Sequence, residues 1–304
     1  MKAAVIHSFG DSSHIKIEES PRPQVKDKGV LVKIHDAGIN PIDWKIREGY
    51  RKSATSKFPF ILGQDFAGEV VELGSEVKGF KKGDRVFGFA QGAYAEFASV
   101  SEDKMALIPE SLDFETAAAI PTAGLTAWQL IIDHANIQEG QKILVHGAAG
   151  GVGSIIVQLA LWKKANVVAT ASASDEAYLK DLGIQKVIDY KSMRFEEFIR
   201  DVDVVADLVG GDTLSRSYQI MKKGGIALST VGSVKEEDAR THGIHGINVM
   251  MNPNSKDLTE LAKLFEAKIL KMRKGKVLPL TEAQQAQDLN QKGHSHGRII
   301  LKMM

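Results

Sequence analysis

Val145-His146-Gly147-Ala148-Ala149-Gly150-Gly151-Val152-Gly153 stands near the middle of this 304-residue chain. An apolar run, Lys142-Ile143-Leu144-Val145-His146, enters the glycines as a strand. Past them, Val152, Ile155, Ile156, Leu159 and Ala160 recur at i, i+3, i+4, i+7 and i+8, which makes one apolar helix face. The order strand, glycine turn, helix start is the one a dinucleotide site needs. Gly150 lets backbone approach a pyrophosphate, Gly153 lets the helix pack close on the sheet, and the helix N-terminus supplies amides and a positive dipole. Ala148 replaces the first glycine of G-x-G-x-x-G, so the bare pattern fails by one position. A glycine cluster alone also marks a packing turn, but this one lies inside a strand–turn–helix–strand unit.

Downstream, strands and helices alternate. Asn166–Thr170, Lys186–Tyr190, Val202–Asp207 and Ile226–Thr230 continue the strand series, with a helix ending near Leu182-Gly183. Such alternation implies a parallel sheet covered on both faces. Upstream, short β-rich runs (Val30–Ile34, Glu69–Gly74, Arg85–Phe89) bounded by glycine and proline suggest an antiparallel β domain. Ser111–Ala119 has helical composition, and Pro121 breaks or kinks it. Leu258, Leu261, Ala262, Phe265, Ile269 and Met272 mark a long amphipathic helix. A short helix near Glu282–Asn290 follows, then a last strand, Arg298–Lys302, expected to rejoin the N-terminal domain. The fold class is therefore α/β, with a β domain over 1–120 and 266–304 and an inserted parallel-sheet domain over 121–265.

Composition narrows the function classes. There are 39 Lys+Arg against 38 Asp+Glu, a formal charge of +1, which gives no long-range pull toward nucleic acid or anionic membrane. The absence of cysteine excludes disulfides, thiolate zinc sites, iron–sulfur clusters and a cysteine nucleophile. Ile143–Trp162 carries no charge over a membrane-spanning length, but four glycines break it, so a buried strand and helix explain it better. The N-terminus does not read as a signal peptide, and a cytoplasmic location is expected. At the end of the second strand of the parallel sheet an NAD site would place an acid to bond the ribose 2′-hydroxyl. Here the chain reads Ala169-Thr170-Ala171-Ser172-Ala173-Ser174, with no acid until Asp175. Ser172 and Ser174 can donate to a 2′-phosphate, which favours NADP, although Ser174 is equally suited to cap the next helix.

Several further segments are similar to the zinc-free quinone oxidoreductase branch of the medium-chain dehydrogenase/reductase family. They are Ala37-Gly38-Ile39-Asn40-Pro41-Ile42-Asp43-Trp44-Lys45-Ile46-Arg47-Glu48-Gly49, Gly63-Gln64-Asp65-Phe66-Ala67-Gly68, Val77–Val86, Gly92–Phe97, Thr122–Trp128 and Gly293–Leu301. The resemblance spans essentially the whole chain. It implies a GroES-like β-barrel catalytic domain, a Rossmann doubly wound domain, NADPH in the cleft between them, and reduction of quinones or activated alkenes. It places Asn40 and Asp43 at the nicotinamide and the substrate pocket, and Thr126 near the nicotinamide ring. Gly150, Gly151 and Val152 would meet the pyrophosphate. Ser172, Ser174 and Tyr190 would surround the adenosine end, and Val209, Val231 and Gly232 would close on the nicotinamide ribose. Many members carry a lysine within 174–176, where this chain reads Ser174-Asp175-Glu176.

Zinc-dependent relatives use Cys, His and Cys. The first Cys position corresponds to Asn40 and the His position to Gln64, so no metal is expected. His242-Gly243-Ile244-His245 and His294-Ser295-His296 lack a neighbouring thiolate or carboxylate cluster and read as surface histidines. Asn40 would orient the carboxamide or polarise the acceptor carbonyl, with Asp43 holding that loop. Trp44 and Tyr50 are candidates for flat contact with a flat substrate, against the alternative that Trp44 only packs its helix. No general acid stands out. The activity implied is NADPH:quinone reduction, with alkenal or enone reduction as the alternative and a non-catalytic NADPH sensor further behind. A homodimer is expected, with Val249-Met250-Met251 as an edge strand or as core.

Overall fold

The computed structural model describes residues 1–50, 57–232, 234–293 and 295–303. His294 of the histidine pair above lies outside the described residues. The chain divides into two compact units: Met1–Leu125 with Pro253–Lys268 and Met272–Met304, and Thr126–Asn252 with Ile269–Lys271.

The first unit begins with β1 (Lys2–Ile6), β2 (Lys16–Glu19), β3 (Gly29–Gly38), α1 (Pro41–Arg47), β4 (Phe60–Ile61) and β5 (Asp65–Leu73). It continues with β6 (Arg85–Phe89), β7 (Phe97–Ser101), β8 (Met105–Leu107), α2 (Phe114–Ala118) and the start of α3 (Pro121–Trp128). β3 is the organising strand. Its whole length pairs antiparallel with β5, while on its other edge Gly29–Lys33 pair with β7. Val30, Val32, Ile34, Phe66, Val70 and Val86 form part of one buried cluster behind these strands. Helix α1 starts where Pro41 presets the first helical φ and Asn40 takes an extended conformation.

The second unit supplies β9 (Lys142–His146), α4 (Gly151–Trp162), β10 (Asn166–Ala171), α5 (Glu176–Asp181), β11 (Lys186–Asp189) and β12 (Val202–Asp207). Then follow α6 (Asp212–Tyr218), β13 (Met221–Ser229), α7 (Glu236–Thr241) and β14 (His245–Asn248). The sheet order is β11-β10-β9-β12-β13-β14, with every pairing parallel. In sheet-strand terms this is 3-2-1-4-5-6, the doubly wound order, which changes direction between β9 and β12. Central strands are buried along nearly their whole length, as a sheet covered on both faces requires.

The chain returns to the first unit through α8 (Ser255–Glu266), β15 (Lys274–Pro279), α9 (Ala283–Lys292) and β16 (Arg298–Lys302). β16 pairs antiparallel with Asp36–Gly38 of β3, beyond the β7 pairing. Two features differ from the sequence reading. The division falls at 125/126 and 252/253, not at 120/121 and 265/266, because α8 packs on β8 of the first unit. That helix also stops at Glu266, since Lys268 adopts φ +58°, so Ile269 and Met272 lie past its end. The edge strand of the parallel sheet is His245–Asn248. Val249 directly after it is buried, and Met250 is exposed. Among the described residues no helix is long and apolar enough to cross a membrane.

Candidate active site

In the first unit a polar network is buried where β3 runs into α1. Asp43 Oδ2 accepts from the Asn40 backbone N–H at 2.8 Å and from the Tyr94 hydroxyl at 2.6 Å. Tyr94 reaches this point because its ring lies against Gly63, where an added Cβ would sit 2.1 Å from the ring and where φ is +90°. Burial pushes the Asp43 carboxyl up to about 7, against these two hydrogen bonds, which favour the charged form. Its Oδ1 is buried without a hydrogen-bond partner among the described residues, so the proton it holds near neutral pH belongs on that atom.

The Asn40 side chain belongs to the same cluster. Its Oδ1 accepts from Arg298 Nη2 at 2.8 Å, which fixes the amide with its NH2 on the other side. Nδ2 has no well-formed hydrogen bond among the described residues and faces Asp65, near enough for the Asn40 amide to oppose the rise in that carboxyl's pKa. Arg298 also pairs with Asp65 Oδ2 at 3.2 Å, and Asp65 accepts the Thr122 hydroxyl and backbone N–H. Burial raises the Asp65 carboxyl, and the Arg298 charge opposes the shift. The outcome is a buried amide donor held from behind by a cation, a suitable partner for an oxygen that gains negative charge.

A cavity of about 700 Å³ opens beside α1, lined among others by Ile42, Asp43, Ile46, Phe60, Gln64 and Phe89. The residues at the positions where zinc-dependent relatives hold their metal do not fit a zinc ion. Asn40 and Gln64 occupy the expected ligand positions, the Asn40 oxygen is engaged by Arg298, and the chain has no cysteine. Among the described residues no group of three or more His, Asp and Glu is arranged to hold a metal, and His242, His245 and His296 are exposed.

In the second unit the glycine turn lies at the C-terminal end of β9, on the switch in strand order, where α/β sheets bind ligands. Gly147 takes φ +74°. A Cβ on Gly153 would lie 2.2 Å from the Gly147 carbonyl oxygen, so only glycine lets the helix start this close to the strand. Gly150 is the cap residue of α4 and brings no side chain to its first turn. The leading N–H groups of the helix have no acceptor within it. A cradle of bare amides with a positive dipole fits a pyrophosphate.

The C-terminal residues of neighbouring strands form one in-register polar row: Thr170, His146, Asp207 and Ser229. All four are buried. His146 Nε2 lies 2.9 Å from Ser217 Oγ, which donates its own proton to the Thr213 carbonyl at 2.7 Å. Nε2 therefore carries the hydrogen, and Nδ1 accepts from Thr170 Oγ1 at 3.0 Å. Burial pushes this imidazole down to about 4, so it is neutral at physiological pH.

The sequence-derived residues fall into local groups. Asn40 and Asp43 meet in the buried network. Trp44 and Tyr50 are edge-on to each other at 6.3 Å, with Tyr50 73% exposed, and neither lines the cavity beside α1. Thr126 is buried on α3. Gly150, Gly151 and Val152 share the start of α4. Ser172 and Ser174 are linked through their hydroxyls at 2.8 Å, and Ser172 also donates to Asp175 Oδ2 at 2.9 Å. Ser174 is not the cap of α5; Asp175 is. Tyr190 lies beside this strand end, its N–H bonded to the Ala171 carbonyl and its ring exposed beneath the Lys191 amine. Val209, Val231 and Gly232 come together in the loops after β12 and β13. Roles for Arg298, Asp65, Tyr94, Asp207 and Ser229 were not read from the sequence. The signal available was a charge at the end of an apolar strand, as in Asp65 before Phe66-Ala67 or Arg298 before Ile299-Ile300-Leu301.

Comparison with known proteins agrees with this architecture. The alcohol dehydrogenase GroES-like domain profile matches residues 26–110, and the zinc-binding dehydrogenase profile matches 182–301. The 2-methylene-furan-3-one reductase of Solanum lycopersicum is 35% identical over 295 residues, covering 93% of this chain and 71% of the relative. The quinone oxidoreductase structure from Coxiella burnetii superposes with a TM-score of 0.94 at 35% identity, over 100% of this chain and 99% of that one. The Escherichia coli quinone oxidoreductase complexed with NADPH gives 0.91 at 28% identity, over 99% and 100%. The fold and site define a two-domain oxidoreductase of the dinucleotide-binding kind. The chain belongs to the quinone oxidoreductase branch of the medium-chain dehydrogenase/reductase family.

Proposed function

We propose that this chain reduces quinones with NADPH and without zinc. The observation that carries the reading is the glycine-built, side-chain-free start of α4 at the switch point of the doubly wound sheet. Two solved relatives support it by name, the quinone oxidoreductase of Coxiella burnetii and the NADPH-complexed one of Escherichia coli. When bound, NADPH supplies the hydride. Gly150, Gly151 and Val152 hold the pyrophosphate through backbone amides, and Ser172, Ser174 and Tyr190 surround the adenosine end. Thr126 serves the nicotinamide end.

Asn40 Nδ2 donates to the acceptor oxygen on which negative charge collects, and Arg298 polarises the amide from behind. Asp43 fixes the Asn40 backbone and keeps a proton on Oδ1 near neutral pH. Of the candidates on this loop and helix only Asp43 lines the cavity beside α1; the roles of Asn40, Trp44 and Tyr50 at the acceptor rest on the family resemblance. The similarity to a 2-methylene-furan-3-one reductase favours a second acceptor class, the activated alkene, served by the same amide. We further propose a homodimer joined along β14, which stands at the end of the parallel sheet.

The test is NADPH oxidation with 1,4-benzoquinone, 9,10-phenanthrenequinone and an alkenal, for the parent and for Asn40→Ala. Loss of one preorganised donor should cost roughly 10²-fold in kcat. Full activity of Asn40→Ala with both acceptor classes would refute the role of Asn40. No NADPH oxidation by the parent with any acceptor would refute the proposed activity.

A further inference from the structure

We propose that Asp207 and Ser229 are positioning residues for the nicotinamide half of the nucleotide, acting as a carboxylate–hydroxyl relay that sets the two loops after β12 and β13. The inference rests on the NADPH reading above. Asp207 is fully buried at the end of β12. Its Oδ1 accepts the N–H of Val209 at 3.0 Å and of Gly210 at 2.9 Å, and its Oδ2 accepts Gly210 N–H at 3.0 Å. The Ser229 hydroxyl donates to Oδ2 at 3.2 Å. Ser229 has one proton to give, and giving it to Asp207 leaves its oxygen lone pairs for other donors. Those donors are the N–H of Val231 at 3.3 Å and of Gly232 at 3.0 Å. The Asp207 carbonyl adds a bond from Thr230 N–H. One carboxylate, directly and through one hydroxyl, therefore orders four loop amides.

The loops so ordered touch each other, with a Cβ added on Gly210 lying 3.4 Å from Val231 Cγ2 and 3.7 Å from the Gly232 backbone. What they present are two apolar side chains, Val209 at 57% and Val231 at 49% exposure. Val209 Cγ2 also comes within 3.4 Å of a Cβ built on Gly147, so the Val209 loop adjoins the glycine turn. A ligand whose anionic centre rests on the start of α4 would extend its next segment across Val209 and Val231. In a nicotinamide dinucleotide that segment is the nicotinamide riboside, a flat ring on a sugar, which apolar contact on a rigid surface suits. Mobile loops would have to be ordered at binding, and the relay removes that cost in advance.

The relay predicts a selective defect. Ser229→Ala leaves the Val231 and Gly232 amides without their acceptor. Asp207→Asn turns one acceptor oxygen into a donor facing the Gly210 N–H and the Ser229 hydroxyl. Equilibrium titrations with NADPH and with 2′,5′-ADP, which lacks the nicotinamide half, read the difference. For Ser229→Ala we expect NADPH to weaken about tenfold, or about 1.4 kcal/mol, with 2′,5′-ADP unchanged. Asp207→Asn should do the same or more, and if it does not fold, Ser229→Ala carries the test. Equal weakening of both ligands, or no weakening of either, overturns the relay while leaving the NADPH reading in place. A parent that binds neither ligand overturns both.

Discussion

Asp43→Asn separates the charge of the Asp43 carboxyl from its shape. Unfolded, the group ionises near its ordinary 3.8; folded, burial holds it at about 7. Below pH 3.8 both states are protonated and the group contributes no pH dependence. From there to pH 7 the folded chain keeps a proton that the unfolded chain has released, so stability falls as pH rises, and above 7 the loss is complete. Roughly three pH units at about 1.4 kcal/mol each give a loss on the order of 4 kcal/mol. For 304 residues the unfolding entropy is about 0.6 kcal/mol/K, so the loss corresponds to about 6 °C in Tm. Asn keeps an acceptor for the Asn40 N–H and the Tyr94 hydroxyl and places an uncharged NH2 where the proton-bearing oxygen was. Of the parent's loss, about two pH units, or roughly 2.8 kcal/mol, falls between pH 5 and 7, so the melting temperature of the variant should gain about 4 °C on that of the parent between pH 5 and pH 8.5. Calorimetric or circular-dichroism melts across that range provide the measurement. Asp36, which burial raises to about 6, titrates in both proteins and cancels in the difference. Parallel Tm-against-pH curves would show that the carboxyl does not carry this shift and would refute its role as a proton store.

Arg298→Met should destabilise the first unit by about 3–5 kcal/mol, because it leaves Asp65 charged, buried and unpaired; a urea titration measures it, and a loss below 1 kcal/mol would contradict the pairing. Gly153→Ala drives a methyl into the Gly147 carbonyl and should cost about 1–3 kcal/mol of stability, together with weaker NADPH binding by titration. Asp175→Asn removes a carboxylate bonded to Ser172 at the strand end expected to meet the 2′-phosphate. At about 1 kcal/mol for one charge pair in high dielectric, the ratio of NADPH to NADH efficiency should rise about fivefold, and an unchanged ratio would place the phosphate elsewhere.

Much of the fold was legible locally. The strands Arg85–Phe89, Lys142–His146 and Val202–Asp207 follow from apolar runs bounded by glycine or turns, and the start of α4 follows from its glycines. Where the reading ran long, at Ile269 and Met272, apolar periodicity continued past a residue whose backbone turns left-handed, and periodicity carries no information about φ. The assignment of α8 to the inserted domain failed for a related reason. An amphipathic face says that a helix packs, not which sheet it packs on. Trp44 and Tyr50 are flat and near Asn40 in sequence, yet the exposure of Tyr50 depends on neighbours that no local pattern names.

Sequence by itself determined the alternation of elements, the glycine turn that opens a bare helix N-terminus, and the absence of thiolate ligands. These are properties of short stretches, set by backbone sterics, side-chain period and residue chemistry. Only the tertiary structure decided which polar groups meet. Asn40 and Asp65 reach Arg298 from 258 and 233 residues away, and that encounter selects the amide end that Asn40 offers. Burial likewise decided that Asp43 holds a proton near pH 7 and that His146 takes up no second one. Ionisation in a folded chain depends on the dielectric and the charges brought around a group, and those arrive from distant parts of the chain when the core closes.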